Sequence, residues 1–176
     1  RGKAAPNISA ALDAGACGIL VPHVATAAEA KAVVRAARFA PEGARGAGPG
    51  RAAGHIRDIG TLVERARRET VVAVQLETLD AVQNVDAILA VPGIDVAFIG
   101  PGDLDVDRAA RGASDTLETL IDRVVAAADA AGVPAGIFTP NREASARWFK
   151  RLSFVIEGSD ALWLTQASDQ ALAPLG

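Results

Sequence analysis

Gln75 and Glu77 stand two places apart in the run VVAVQLET, and Asp103 closes the run GPGD further along the chain. If VVAVQLE is a strand, side-chain alternation turns Gln75 and Glu77 to the same side of it. If the segment IDVAFI is the neighbouring strand, about 4.8 Å away, Glu77 and Asp103 converge where both strands end. In parallel α/β folds that carboxyl end is where ligands sit. Two carboxylates with no nearby cysteine and no sequence-adjacent histidine suit a hard cation such as Mg²⁺ or Mn²⁺, completed by water and substrate oxygens. A plainer arrangement stays open, with Glu77 a charge at a helix N-terminus and Asp103 a turn residue. Gly100 and Gly102 let the backbone come close to a ligand, and the amides around Gly102 and Asp103 are able to hold a carboxylate; the alternative is an ordinary βα turn.

Other chemically capable residues have bland readings. His23, near the end of the first strand, is placed for a base or a ligand but is expected to be a packing histidine. His55 is expected in solvent, and Cys17 as a buried thiol. Trp148 and Phe149 are spaced for packing on a helix. Asp13, at the end of the first helix, reads as a surface carboxylate. The cluster Gly46, Gly48, Gly50 follows a helix rather than a strand and lacks a Gly-Lys-Ser/Thr ending, so it is expected to be a flexible loop near the mouth of the sheet rather than a nucleotide motif.

The elements that must position these residues follow from apolar runs alternating with segments of helical period, the pattern of repeated βα units. Five strands are expected, at Gly18 to Val24, Val71 to Glu77, Ile94 to Ile99, Ala135 to Phe138 and Ser153 to Glu157. Their nearly unbroken apolar character fits strands covered on both faces. A short helix over Ile8 to Ala14 precedes the first strand. Thr26 with Glu29 reads as a capping box for a helix to about Arg38. Thr78 caps a helix whose Ala81, Val82, Val85, Ile88 and Leu89 form one stripe. Asp115 and Glu118 open another, with Leu117, Leu120, Ile121, Val124 and Ala128 inward and Gly132 at its end. Asn141 and Ser159 are the remaining caps, and Phe39 to His55 is one long irregular stretch.

The 176 residues, 50% hydrophobic and 22% charged, have room for a single core and read as one domain over 1–176. A net charge of −3 offers no basic field for a phosphate backbone, so nucleic acid is not an expected partner. With a mean hydropathy of +0.22 and no apolar run of spanning length, neither is a membrane. One cysteine excludes an internal disulfide and fits a reducing cytoplasm. There is no Met and the first residue is Arg1, so the chain reads as a processed product or fragment.

Taken in order, ALDAGACGILVPHVATAAEAKAVVRAARFAPEGARGAG, VVAVQLETLDAVQNVDAILAVPGIDVAFIGPGDL, PAGIFTPN and FVIEGSDALWL resemble the HpcH/HpaI aldolase and citrate lyase family, in its pyruvate-dependent 4-hydroxy-2-oxo acid aldolase branch. The resemblance implies a (β/α)₈ TIM barrel, here incomplete with about five of eight βα units. It implies a divalent metal, Mg²⁺ or Mn²⁺ with Co²⁺ also admitted, that holds pyruvate as its enolate while a 4-hydroxy-2-oxo acid is cleaved reversibly to pyruvate and an aldehyde. On its motifs Glu77 and Asp103 are metal ligands, Gln75 contacts substrate, and the backbone at Gly102 and Asp103 holds the pyruvate carboxylate. Many relatives carry Ala or Ser where this chain has Gly102, which leaves an amide-based role intact. Asp13 matches an acidic residue that raises the basicity of the catalytic histidine. That histidine and a transition-state-stabilising arginine belong upstream of the ALDAG segment; an ungapped alignment puts the arginine just before residue 1, so Arg1 is not assigned its role. The chain alone is therefore expected to be inactive, and the full-length form to be a homo-oligomer. No strand-end lysine has a matching motif, against a Schiff-base aldolase. The rivals are an acyl-CoA or citryl lyase on the same fold and a non-catalytic remnant.

Overall fold

All five expected strands form in the computed structural model, which describes residues 2–173; Arg1 lies outside them. They are β1 (Gly18–Val21), β2 (Val71–Leu76), β3 (Val96–Ile99), β4 (Ala135–Thr139) and β5 (Phe154–Glu157). Each pairs in parallel with the next in chain order, giving a curled half-barrel with helices, an incomplete (β/α) barrel. The first strand is shorter than expected because Pro22 has no N–H to extend the ladder and His23 turns into the left-handed region at φ 56°.

Period-two alternation divides the sheet. Val21, Val72, Val74, Leu76, Ala97, Ile99, Ala135 and Ile137 enter the main core, where they meet the helices. These include α1 (Ala5–Asp13), α2 (Ala27–Ala37), α4 (Leu79–Gln83), α5 (Val85–Leu89) and α7 (Leu117–Ala131), which contribute Leu12, Val33, Val82, Ile88 and Val124. On the other face Phe98 is buried edge-on to Phe154, with ring centroids 5.8 Å apart. Leu20, Val71 and Phe154 nevertheless remain exposed there, so the expectation of strands covered on both faces is corrected for the described residues.

The hydroxyls of Thr26, Thr78, Asn141's amide oxygen and the hydroxyl of Ser159 each accept the amide three residues on, as their positions predict. At Thr26 the box is altered: the Glu29 carboxylate reaches back to the amide of Ala25 and pairs with the Lys3 ammonium. Thr116 caps α7 instead of Asp115, because its hydroxyl stands three residues before the amide of Thr119. The single helix expected after Thr78 is broken into α4 and α5 at Asn84, whose side-chain amide donates to the carbonyl of Ala25.

Two helices between the loops were not expected, α3 (Ile59–Glu69) and α6 (Pro101–Ala110). The signals exist: Ile59, Leu62, Val63 and Ala66 make one apolar stripe. Pro101 at the first helical position and Asp103 in the first turn are helix-start residues. The chain then completes α8 (Arg142–Trp148) and α9 (Asp160–Leu172).

The glycine-rich stretch connects α2 back to α3 and β2, so it lies at the amino ends of the strands and not at the mouth. Arg45 and Ala52 from it line a small pocket with Cys17 and Thr70, the residues that precede β1 and β2. It is partly ordered by one 3₁₀ turn at Arg51–Ala53.

Candidate functional site

Glu77 is the first residue after β2, and its side chain is only 1% exposed. One carboxylate oxygen, Oε1, accepts the backbone N–H of His23 at 2.7 Å. The imidazole Nδ1 of His23 lies 2.9 Å from the same oxygen. The other oxygen, Oε2, accepts from the side-chain amide of Gln75, so the two residues do share one side of the strand. Opposite them stands Gly100, the N-cap of α6. A β-carbon there would lie 2.7 Å from both Gln75 Nε2 and Glu77 Oε2, so glycine is required by close approach.

Pairing of β2 with β3 brings Asp103, exposed in the first turn of α6, to this strand end. Burial pushes the Glu77 carboxyl above its usual range, the His23 amide and imidazole pull it back, and the negative charge of Asp103 pushes it up again. The space around Gly102 is open, with nothing within 4 Å of where a β-carbon would stand.

The donor set fits a hard divalent cation. A desolvated carboxylate facing a second carboxylate carries unfavourable energy that a cation between them removes. Among the described residues no group of three or more His, Cys, Asp or Glu side chains forms a ready-made metal cluster. Two carboxylates and open surroundings match Mg²⁺-type binding, in which water and substrate oxygens complete the shell, rather than an all-protein cage.

Asp13 lies elsewhere. Its Oδ1 accepts from Arg45 Nη2 at 2.9 Å, and the buried Arg45 guanidinium stacks 4.6 Å over the Phe39 ring, leaving its Nε without a partner. Asp13 ends α1, before β1 begins, and its ion-pair partner is Arg45 and not a histidine. His23 is the residue that reading the sequence missed. Expected to pack, it is exposed at its ring and contacts Glu77, and only its position at a strand end hinted at this. Cys17 is exposed, not buried, at the open amino end of β1. Trp148 packs in the core as expected, under the guanidinium groups of Arg147 and Arg151, but Phe149 is 75% exposed because it follows the last turn of α8 on its solvent side.

A model of the HpcH/HpaI aldolase/citrate lyase family matches residues 3–160. The hydroxypyruvate/pyruvate aldolase of Roseovarius nubinhibens is 38% identical over 172 residues, covering 94% of this chain and 66% of the relative. The 4-hydroxy-2-oxovalerate aldolase of Novosphingobium aromaticivorans is 42% identical over 135 residues, covering 76% of this chain and 51% of the relative. The chain thus spans less than two thirds of the length of these relatives. A crystal structure of an HpcH/HpaI aldolase/citrate lyase family protein from Burkholderia cenocepacia superposes with a TM-score of 0.82 at 34% identity, covering 97% of this chain and 69% of that one. With sequence and fold in agreement, the chain belongs to the HpcH/HpaI aldolase/citrate lyase family.

Proposed function

We propose that Glu77 and Asp103 hold a divalent cation, Mg²⁺ or Mn²⁺, and that the full-length form is a metal-dependent aldolase, this chain alone binding the cation without turning substrate over. The full-length form cleaves 4-hydroxy-2-oxo acids reversibly to pyruvate and an aldehyde. The observation that carries this reading is the buried Glu77 carboxylate facing Asp103 at the carboxyl end of a parallel sheet. The aldolase names of the relatives support the substrate class.

When bound, a cation held by Glu77 and Asp103 would supply Lewis-acid polarisation to a keto oxygen of the substrate. The chain's own residues do the rest of the binding. Gln75 spends one side-chain N–H on Glu77 and keeps a second N–H and its carbonyl oxygen for substrate. The amides of Gly102 and Asp103, in the first turn of α6, receive the carboxylate of the 2-oxo acid, and the open space at Gly102 admits it. Asp13, paired here with Arg45, enters only on the family pattern, as the acidic partner of a histidine that this chain does not contain. The reading includes small-molecule partners alone, a homo-oligomeric full-length form and a cytoplasmic setting; no helix among the described residues is long and apolar enough to cross a membrane.

Pyruvate binding tests this directly. With Mn²⁺ present, pyruvate is expected to displace bound water and lower the water-proton relaxation enhancement, and Glu77→Ala is expected to abolish the response. Equal pyruvate affinity with and without Mn²⁺ would remove the metal-dependent reading. A response to citrate or a short acyl-CoA in place of pyruvate would move the substrate to the citryl or acyl-CoA class.

A further inference from the structure

The β1 ladder ends at Val21, paired with Val74, and Pro22 then offers no N–H. One residue later the backbone of His23 is left-handed, at φ 56°, and its N–H leaves the ladder for the Glu77 carboxylate. The ladder direction resumes at once, because the N–H of Val24 donates to the carbonyl of Gln75 at 3.3 Å. His23 is thus a single residue turned out of an otherwise continuous run, and the amide it frees serves Oε1 of Glu77. The following peptide is held as well, since the Lys3 ammonium donates to the His23 carbonyl at 2.8 Å.

A non-glycine residue in the left-handed region costs about 1 kcal/mol, with His, Asn and Asp tolerated best. The structure accepts that cost here and puts the freed donor against a carboxylate that is 1% exposed. The imidazole is placed differently. Its Nδ1 is near the same oxygen, but the ring is 62% exposed, and an exposed contact of this kind contributes little.

We propose that His23 is a positioning residue for Glu77, acting through its left-handed main chain and not through its imidazole. With Oε1 taken by the His23 amide and Oε2 approached by Gln75, the carboxylate is fixed in one orientation toward Asp103. This inference rests on the cation reading of Glu77 and Asp103, and deepens it by naming what orients the first ligand.

The test uses His23→Gly, His23→Asn and His23→Val, read by electron paramagnetic resonance of free Mn²⁺. Glycine and asparagine adopt the left-handed conformation readily, so both variants are expected to keep Mn²⁺ affinity within about threefold of the parent. Valine resists that conformation and is expected to weaken affinity about 10–100-fold, the usual effect of losing an outer hydrogen-bond partner of a ligand. Circular dichroism of each variant separates this from loss of fold. A second readout needs no metal: the residue 23 amide of the parent is expected to be protected from hydrogen exchange, and to lose protection in Glu77→Ala. An equal loss of affinity in the glycine and asparagine variants would assign the role to the imidazole and overturn the proposal. An unprotected residue 23 amide, or full affinity in the valine variant, would overturn it too. A protected amide in a parent chain that binds no Mn²⁺ would overturn the cation reading and leave the main-chain hold on Glu77 standing.

Discussion

At the scale of single residues, the energetic peculiarity of the molecule is Glu77. Its carboxyl is raised above the ordinary glutamate value of 4.5, first by burial and further by Asp103, against the opposing pull of the His23 amide and imidazole. A raised native value means that the folded state binds the proton more tightly than the unfolded state, so stability of the metal-free protein falls as pH climbs from about 4.5 through the native value and then levels. Glu77→Gln removes this dependence. Thermal unfolding between pH 4 and 8 is expected to show the variant more stable than the parent at pH 7, with the gap closing toward pH 4. The juxtaposition of Gln75, Glu77 and Asp103 at one strand end is legible in the sequence because strand alternation and strand pairing are simple periodic rules. The role of the His23 main chain is not legible, because histidine tolerates a positive φ without requiring one. Cys17, beside the first strand, is expected as a buried thiol and Phe149, at helical spacing, to pack, yet both are exposed because they sit at element ends, where periodicity stops being informative.

At the scale of elements, caps and strands were readable and the helices flanking glycine-rich segments were not. Thr78 shows why caps read well: a hydroxyl three residues before a helical amide is a local arrangement that needs nothing distant. It also has a job beyond its helix, since it follows Glu77 directly and starts the turn that carries the chain away from the site. Thr78→Ala is expected to cost about 1 kcal/mol in urea unfolding while Mn²⁺ affinity stays unchanged, because the Glu77 contacts come from His23 and Gln75. The helix α6 escaped notice because Gly-Pro-Gly-Asp is equally a turn sequence, and only the packing of Leu104, fully buried, decides for helix. The loop after α2 was misplaced for a topological reason. Glycine content marks irregular backbone, but which end of a sheet it occupies depends on whether it follows a strand or a helix, and this one follows a helix.

At the scale of the whole molecule, parallel β order and one helix-covered face follow from the βα rhythm, and the direct pairing of β2 with β3, Leu76 against Ile99, brings their ends together. The exposed face of Leu20, Val71 and Phe154 was not legible, because an apolar strand carries no mark of what lies against its second face. What the fold achieves at the shared strand end is the close approach of two carboxylates, one buried and one open, around a glycine that admits no side chain. A cation bound only by the native state adds to stability by mass action, about 2.7 kcal/mol at a hundredfold excess over its dissociation constant. Titration of Mn²⁺ into the metal-free chain, followed by calorimetry in the parent and in the Glu77→Ala, Asp103→Ala double variant, therefore measures the central claim. One saturable site in the parent that disappears in the double variant is the predicted result, and an affinity unchanged by the double substitution would contradict it.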